Sequence, residues 1–434
     1  MKRAALALTC LGVLAAAEQP AGWVVWAPRP ELAPEASQMQ TPGGLTLRLK
    51  ARGKDSFGKW IGRLGVQPGA TYRFEALYRT DQVENEAMSV LAVLSWCKDL
   101  NARNPIQRDY VDRVSPAQGG WRKLERTLAA PAGAVSVVVE LGLRLTERGS
   151  VTWAQPRLTV ITPAPRRAAR IVTTRVVKYA STVKENRVLL GEILDGAAAH
   201  KPDLVLLTET FLERGTSESA EQAAEPIPGP TTNLLAEKAR RLHSWVAMSL
   251  HERDGRDVFN TAVLVDREGR IAAKYRKIHL TLDEFERGIT PGGDYTVVDT
   301  DFAKVGLLVC WDHWFPEAAR ILRLKGAELL LLPIAGDGES HWDVVSRARA
   351  IDNGVYIASA IAAGKPASRI VSPEGEVLAE TTGGYAAADL DFNRETRVEW
   401  LSVGPAEGEA KSLYIKERRP DTYGPLLPDR DGGR

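Results

Sequence analysis

Cysteine is scarce in this 434-residue chain, which contains only Cys10, Cys97 and Cys310. Cys10 lies in an apolar amino-terminal segment that we expect to be removed, and the other two lie in different halves of the sequence. Neither their number nor their spacing is typical of a disulfide-stabilised protein. We therefore expect Cys310 to be a free thiol, which is the form that nucleophilic catalysis requires.

The chain also lacks a marked excess of charge and the spaced pairs of ligands that bind zinc. Its 57 Lys and Arg residues against 55 Asp and Glu residues give a net charge of +2. This balance, without a long basic run, argues against a nucleic-acid-binding protein. No His-x-x-x-His or Cys-x-x-Cys pair occurs. The length and the ordinary composition predict a soluble protein with two domains.

No stretch of the sequence is long and apolar enough for a transmembrane helix. Lys2 and Arg3 precede a short apolar run and a small-residue cleavage site. This pattern predicts a signal peptide at residues 1–17, so we expect a secreted or periplasmic protein. Attachment of a lipid at Cys10 is the weaker alternative, because few apolar residues precede it.

The character of the sequence changes at residues 162–169, a Pro-rich and basic stretch that predicts a linker. The linker separates a first domain at residues 18–161 from a second at residues 170–427, and residues 428–434 form a tail. In the first domain, apolar and polar residues alternate at 72–79 and 135–145, as in strands with one buried face.

Short strands separated by Gly and Pro turns predict an all-β sandwich for the first domain. The order of its Gly-, Trp- and Pro-containing motifs resembles the order found in jelly-roll domains of the carbohydrate-binding, galactose-binding-like kind. The domain contains six of the eleven tryptophans: Trp23, Trp26, Trp60, Trp96, Trp121 and Trp153. We expect most of them in the core. Exposed indoles could stack on sugars, so a glycan is a candidate partner of this domain. Sugar binding ranks behind a role of the domain as a scaffold or a dimer contact.

Strands alternate with helices in the second domain. Strand patterns occur at 170–179, 203–207, 245–250, 261–266 and 270–274, and helical patterns occur at 184–200 and 231–242. Pairs of helices and strands in this order predict a layered α/β domain. Three residues suited to acyl transfer follow predicted strands: Glu209, Lys277 and Cys310.

Cys310 ends the apolar run 305–309 and precedes a helix that begins near Pro316. A strand-to-helix turn would hold the sulfur out of the sheet and aim free helix N–H groups at the atom it attacks. A buried structural cysteine is the alternative. Taken singly, Glu209 and Lys277 could equally be a helix cap and a solvated surface cation.

Three motifs together resemble the carbon–nitrogen hydrolases of the nitrilase superfamily. They are Glu209 after the run 203–207, Lys277 within 275–280, and Cys310 within 310–317. Further signatures follow in the family's order at 225–230, 259–262, 290–294, 349–353 and 372–375. The resemblance covers about residues 168 to 427. It implies an α/β four-layer α-β-β-α sandwich, preceded here by the all-β jelly-roll domain.

The resemblance also implies a role for each residue. Cys310 attacks the substrate carbon and forms a thioester, while Glu209 acts as general base. Lys277, with the backbone N–H after the nucleophile, stabilises the oxyanion. Glu284 corresponds to the family's second glutamate, although Glu286 is also available.

Trp311, His313 and Trp314 follow the nucleophile and are candidate substrate-binding residues, although His313 could equally have a structural role at the turn. We interpret His279 as structural. No cofactor or metal is expected, because a thiol, a carboxylate and an ammonium suffice for acyl transfer. The resemblance further implies a homo-oligomer built from dimers.

The nucleophile loop 310–320 is similar to that of N-carbamoylputrescine amidases, so the expected substrate is an amide or an N-carbamoyl amine. The sequence departs from those enzymes in the loop between Lys277 and Pro291, in the segment 336–341 and at Asp352. The sequence therefore does not identify the amine part of the substrate. A nitrilase or an N-acyltransferase with the same three residues is the first alternative. A glycan-binding protein with a vestigial hydrolase domain is the alternative from another class.

Overall fold

The computed structural model describes residues 20–100, 105–336, 341–362, 364, 366–399 and 407–427. The predicted signal peptide, the predicted tail and most of the segment 336–341 lie outside these residues. The chain divides into two compact units. The first, here called the β unit, combines the part up to Ala164 with the part from Arg397 onward, and the second, the α/β unit, is Pro165–Thr396.

The β unit is built from two sheets. Its elements before the linker are β1 Ala21–Trp26, β2 Glu35–Thr41, β3 Gly44–Lys50, β4 Phe57–Gly65, β5 Thr71–Asp81, α1 Glu86–Ser89, β6 Val90–Cys97, β7 Pro105–Tyr110, β8 Arg113–Pro116, β9 Arg122–Ala129, β10 Ser136–Arg144 and β11 Ser150–Val160. Near the carboxyl terminus it also contains β24 Arg397–Glu399, β25 Glu407–Glu409 and α8 Ala410–Lys416. The strand orders are β1-β4-β10-β6-β7-β25-β24 and β2-β3-β11-β5-β9-β8.

Alternate side chains of the two sheets meet in one hydrophobic core. The residues predicted to face inward on β5 and β10 are buried there, with Phe74 and Leu141 both 0% exposed. Trp60, Trp96 and Trp153 are buried as well, whereas Trp26 is 41% exposed. The predicted β sandwich therefore matches the observed sheets, while its jelly-roll topology stays a prediction.

The carboxyl-terminal segment joins the β unit, which differs from the predicted boundary that kept residues up to 427 with the second domain. β25 pairs in parallel with β7, extending the seven-stranded sheet. Arg126 donates to Glu409 at 3.2 Å, and Arg397 pairs with the fully buried Asp109. Leu413 of α8 packs on the outer face of β6 in a small apolar cluster.

Replacing Leu413 by alanine should destabilise the β unit by about 2–5 kcal/mol, because Leu413 is only 6% exposed and its removal leaves a cavity. Leu427, at 67% exposure, is the matched control, and its replacement by alanine should change the unfolding free energy by less than about 0.5 kcal/mol. Urea unfolding followed by tryptophan fluorescence measures both. Equal midpoints for the two variants would contradict the docking of α8 on this sheet.

The α/β unit alternates strands and helices. Its elements are β12 Ala168–Arg175, α2 Val183–Ala197, β13 Leu204–Leu206, α3 Ala220–Ala223, α4 Pro230–Leu242, β14 Trp245–Asp254, β15 Asp257–Val265, β16 Ile271–Arg276, α5 Leu282–Glu286, β17 Val297–Asp299, β18 Lys304–Leu307, α6 Pro316–Leu324, β19 Leu329–Ile334, α7 Trp342–Asn353, β20 Tyr356–Ile361, β21 Ser368–Val371, β22 Val377–Thr381 and β23 Gly384–Asp391. Among the described residues, no helix is long and apolar enough to cross a bilayer.

Two six-stranded sheets stack face to face between layers of helices. Their orders are β16-β15-β14-β13-β12-β23 and β17-β18-β19-β20-β21-β22. One core lies between the sheets and continues to α6 and α7, and a second lies between the first sheet and the helices α2 and α4. The apolar side of α2 explains this packing, since Leu190 and Leu194 are 0% exposed. The arrangement is the α-β-β-α sandwich that the family resemblance implies.

The strand directions bring the ends of several strands to one edge. β12, β13 and β14 run parallel, and β16 has the same direction because it is antiparallel to β15, which is antiparallel to β14. In the second sheet, β18, β19 and β20 are parallel. The chain leaves β13 just before Glu209, β16 just before Lys277 and β18 shortly before Cys310.

Candidate active site

Glu209, Lys277 and Glu284 form one buried, hydrogen-bonded cluster. The Lys277 Nζ donates to Glu209 Oε1 at 3.0 Å and to the two carboxylate oxygens of Glu284 at 2.9 and 2.8 Å. All three residues are buried, whereas Glu286 is exposed. Of the two glutamates that the sequence left open, the structure therefore brings Glu284 to the lysine.

The first turn of α5 fixes the position of Glu284. The Thr281 N–H donates to Glu284 Oε2 at 2.9 Å, and the Glu284 N–H donates to Thr281 Oγ1 at 3.3 Å. This reciprocal pair is a capping box, which satisfies two N–H groups at the start of a helix. The Glu284 carboxylate thus connects the helix start to the Lys277 ammonium.

Cys310 begins a short 3-10 helix, Cys310–Trp314, shortly after β18 ends. Its φ of +44° lies in the left-handed region, which is strained for a residue with a β-carbon. Cys310 is partly exposed, and the Glu209 carboxylate acts on its thiol, raising the pKa. The sulfur that the sequence indicates as nucleophile is therefore next to the predicted general base.

The charges of the cluster set its protonation states. Burial and the Glu209 carboxylate raise the pKa of the Cys310 thiol, although Lys277 opposes this effect. Burial alone would raise the pKa of Glu209, but the charges of Lys277 and Arg214 lower it below 4.5. Burial opposes the charged form of Lys277, yet Glu209 and Glu284 raise its pKa above 10.5. At neutral pH, Cys310 is therefore a thiol, Glu209 a carboxylate and Lys277 an ammonium.

Asn260 bridges the two glutamates and was not singled out as a site residue by the sequence. Its Nδ2 donates to Glu209 Oε1 at 2.7 Å and to Glu284 Oε1 at 3.0 Å, and its Oδ1 accepts from Ser249 Oγ at 2.9 Å. The second oxygen of Glu209 accepts from the Ala335 N–H at 2.6 Å. These bonds fix the base from both sides. The position of Asn260 in the signature 259–262 is the only sequence signal for this role.

Asp312 holds the turn that carries the nucleophile. It is 0% exposed, and its Oδ2 accepts from the Tyr275 hydroxyl at 2.8 Å and the Val309 N–H at 3.0 Å. Its Oδ1 accepts from the His279 N–H at 2.9 Å and contacts His279 Nδ1 at 2.9 Å. His279 therefore has the structural contacts that the sequence interpretation assigned to it, and Asp312 ties the Cys310 turn to the strand end before Lys277.

The three candidate substrate-binding residues have different surroundings. Trp311 is 37% exposed beside Cys310, and Trp314 packs edge-on against Trp342. His313 is only 1% exposed, and its Nε2 lies 3.0 Å from Ser346 Oγ. Burial and the Arg349 charge lower the pKa of His313 to about 3, so its ring is neutral at neutral pH. Of the three, Trp311 has the most open side chain.

Alkylation of the native protein by iodoacetamide should modify Cys310 in preference to Cys97. Cys97 is 0% exposed, whereas Cys310 is partly exposed, so the reagent reaches only Cys310 in the folded protein. Peptide mass spectrometry gives the labelled fraction at each cysteine, and the unfolded protein, in which both react, is the control. Equal labelling in the native state would contradict the accessible site at Cys310.

One family model matches the α/β unit, and two curated relatives match about half to two thirds of the chain. Residues 166–398 match the family model for carbon-nitrogen hydrolases. The chain is 32% identical over 238 residues to the omega-amidase of Homo sapiens, covering 49% of this chain and 86% of that protein. It is 29% identical over 330 residues to the chloroplastic omega-amidase of Arabidopsis thaliana, covering 68% of this chain and 88% of that protein.

Solved structures agree with this similarity. The carbon-nitrogen hydrolase from Helicobacter pylori G27 is 25% identical, with a TM-score of 0.51, and the match covers 60% of this chain and 98% of that chain. A mutant of the amidase from Nesterenkonia sp. AN1, in complex with acrylamide, is 24% identical, with a TM-score of 0.50 and coverage of 62% and 100%. At that identity the second match supports the fold alone.

Proposed function

Because the chain belongs to the carbon–nitrogen hydrolase family, we propose that its α/β unit hydrolyses the C–N bond of a small amide through a thioester on Cys310. The protein is an enzyme of non-peptide C–N bonds, and the two curated relatives described above are amidases. The observation that carries the proposal is the buried site in which Lys277 donates to Glu209 at 3.0 Å and the Glu209 carboxylate acts on Cys310, raising the pKa of its thiol.

The first half of the reaction forms the thioester. As the Cys310 sulfur attacks the amide carbon, Glu209 takes the thiol proton, because its carboxylate is ionised while the thiol is protonated at rest. The C–N bond of the tetrahedral intermediate then breaks. Glu209 gives the proton to the nitrogen, so that ammonia or an amine leaves and an acyl group remains on sulfur.

The second half regenerates the enzyme. Glu209 takes a proton from water as the water oxygen attacks the thioester carbon, and the carboxylic acid leaves as the C–S bond breaks. The proton returns to the Cys310 sulfur. Both halves develop negative charge on the carbonyl oxygen, and the Lys277 ammonium is the nearby positive charge that stabilises it.

Replacing Lys277 by methionine should lower turnover by about 100- to 1000-fold, the usual cost of losing one oxyanion donor. It should also destabilise the α/β unit by about 3–5 kcal/mol, because Glu209 and Glu284 would stay buried without their cation. Thermal unfolding and amide turnover measure the two effects.

Lys274 provides the matched control for Lys277. Its side chain is 38% exposed, and its partner Glu252 also pairs with Arg276. Lys274→Met should therefore cost less than about 1 kcal/mol and leave turnover near the wild-type value. Similar losses in both variants would contradict a special role for Lys277.

Release of ammonia and carboxylate from a panel of substrates tests the proposed function. The panel contains aliphatic amides, N-carbamoyl amines, N-carbamoyl amino acids and nitriles, and the enzyme is the chain from residue 18 to 434. Turnover of amides that is lost in Cys310→Ala supports the proposal. Turnover of nitriles alone would favour a nitrilase, and silence over the whole panel would contradict small-amide hydrolysis.

A further inference from the structure

Basic side chains are concentrated on the outer face of one sheet of the β unit, the sheet β2-β3-β11-β5-β9-β8. Successive side chains of a strand point to opposite faces of the sheet. Phe74 and Tyr78 of β5 are buried in the core, so Arg79 points outward, and the strand register assigns the outward side chains of the neighbouring strands.

This outer face is here called the basic face. The basic residues that point outward from it are Arg48, Lys50, Arg73, Arg79, Arg113, Lys123 and Arg157. The acidic residues that point outward from it are Glu35, Glu75, Asp81 and Glu125. The basic face therefore carries a net positive charge, whereas the whole chain is close to neutral.

The acidic residues in the middle of the basic face are shared among several cations. The Glu75 carboxylate lies 3.1 Å from Arg157, 3.5 Å from Arg73 and 3.7 Å from Lys123. Lys123 also pairs with Glu125 at 2.7 Å. Both arginines approach Glu75 through Nε, and a guanidinium has five N–H donors. Arg73 and Arg157 therefore keep donors that can bind a ligand.

Arg48 and Arg79 are exposed, and among the described residues neither has a carboxylate within 4 Å. Arg48 donates to Ser150 Oγ at 3.1 and 3.3 Å, and the Arg79 guanidinium lies 5.0 Å from the ring centroid of Trp121. Thr152 of β11 pairs with Arg48 on one side and with Arg79 on the other. Since neighbouring strands are about 4.8 Å apart, the two arginines start from Cα atoms only about 10 Å apart.

A row of small side chains runs across the strands next to these two arginines. Thr46, Ala154 and Leu77 are cross-strand neighbours on β3, β11 and β5. Ala154 is 6% exposed, and the other two are half-buried. Residues on the same face of a strand are about 7 Å apart, so Arg79 borders this row on one side and Arg157 on the other. The basic face thus has a shallow trough with cations along both sides.

The shape and charge of the trough distinguish among anionic partners. A membrane surface is bound by protruding apolar side chains, whereas the row in the trough is low and small. Single-stranded nucleic acid stacks on several aromatic rings, whereas Trp121 is the one ring on the described part of this face. Glu75 and Glu125 would repel a densely charged chain. A chain of sugars with one carboxylate each fits the modest excess of positive charge.

From this arrangement we propose that the basic face of the β unit binds an acidic polysaccharide of the polyuronate class. Arg48 and Arg79 bind its carboxylates through their guanidinium forks, and the half-buried indole of Trp121 offers a surface for a sugar ring. The inference concerns the β unit and does not depend on the reaction at Cys310. It bases glycan recognition on charge, because most of the tryptophans that suggested a glycan are buried or only partly exposed.

Calorimetric titration of the chain from residue 18 to 434 with polygalacturonate tests the proposal. Methyl-esterified polygalacturonate is the matched ligand, since it has the same sugars without the charge. The acid form should bind and the ester should not. The double variant Arg48→Gln, Arg79→Gln should weaken binding by about 10- to 100-fold, the range for hydrogen bonds to charged groups. The double variant Arg48→Lys, Arg79→Lys keeps the charge without the fork and should restore part of the affinity.

The double variant Arg29→Gln, Arg63→Gln is the matched control. It removes the same charge from the same unit, but Arg29 follows β1 and Arg63 lies on β4 in the other sheet. All four exchanged arginines are exposed, so both double variants should keep the thermal midpoint of the wild type. The control should also keep the wild-type affinity for polygalacturonate.

Three results would overturn the proposal. The first is no binding of polygalacturonate by the wild type, or equal binding of its acid and ester forms. The second is an equal loss of affinity in the basic-face variant and the control, which would reduce the effect to overall charge. The third is tighter binding of duplex DNA, or of vesicles that contain phosphatidylserine, with a loss in Arg48→Gln, Arg79→Gln. That result would assign the basic face to nucleic acid or to a membrane instead.

Discussion

Replacing Cys310 by alanine should abolish amide hydrolysis, with a loss of at least about 10⁴-fold in turnover, as for other enzymes that lose a covalent nucleophile. The reason is that neither Glu209 nor Lys277 can form the acyl intermediate. The fold should persist, because alanine keeps the β-carbon that Cys310 already carries at a φ of +44°. Ammonia release by purified enzyme, with circular dichroism as the check on folding, measures the effect.

Cys97 supplies the matched control for this replacement. It is 0% exposed in the core of the β unit, whose residues take no part in the proposed reaction. Cys97→Ala should keep full turnover per folded molecule, and any loss should appear as lower stability. Residual hydrolysis by Cys310→Ala at more than a few per cent of the wild-type rate would contradict a thioester on this residue.

Glu209→Gln should lower turnover by about 100- to 10⁴-fold, the range for removing a general acid–base group. Glutamine keeps the length of the side chain and can still accept a hydrogen bond from Lys277 or Asn260. It cannot take the thiol proton, so the Cys310 thiol, whose pKa is raised by burial, stays protonated. A variant with near wild-type turnover would contradict Glu209 as the base.

The pH dependence of the activity is a second test of the role of Glu209. Its pKa is lowered in the folded protein, so the carboxylate stays ionised, and active, at pH values where an ordinary glutamate near 4.5 would be half protonated. Activity should be lost only as pH falls through this lowered value. The same group stabilises the fold above the pKa it has when unfolded, and this stability is lost as pH falls through the folded pKa.

The acid side of the pH–rate profile is the measurement for this prediction, limited to the range in which thermal unfolding finds the protein folded. In Glu209→Gln, the fall in rate at low pH that we assign to Glu209 should be absent from the pH profile of the residual activity. An acid limb of kcat/KM centred above pH 5 in the wild type, or one that persists in Glu209→Gln, would assign the titration to another group.

Three of the predicted site residues can be selected from the sequence because each follows a strand of recognisable pattern. Glu209, Lys277 and Cys310 are far apart in the chain, yet the parallel strands bring their ends to one edge. The sequence left Glu284 and Glu286 both open. The capping box of Thr281 resolves the choice, since it points Glu284 inward while Glu286 stays exposed.

Other features depend on tertiary contacts that pattern reading does not show. Asn260 lies in a strand and looks like an ordinary polar residue until its amide is seen between two carboxylates. The carboxyl-terminal segment gives no sign of leaving the α/β unit, because β25 is only three residues long. Its place in the β unit depends on an open strand edge at β7 and on partners such as Asp109, far away in the sequence.

The mass of the Cys310 peptide during turnover is the most direct test of the central claim. Enzyme mixed with an amide that it hydrolyses, quenched in acid within milliseconds and digested, should carry the acyl group of that amide on the peptide that contains Cys310. The adduct should be absent in Cys310→Ala and should disappear when substrate is exhausted. Ammonia release at full rate with the acyl group on another residue, or continued release by Cys310→Ala, would contradict the thioester mechanism.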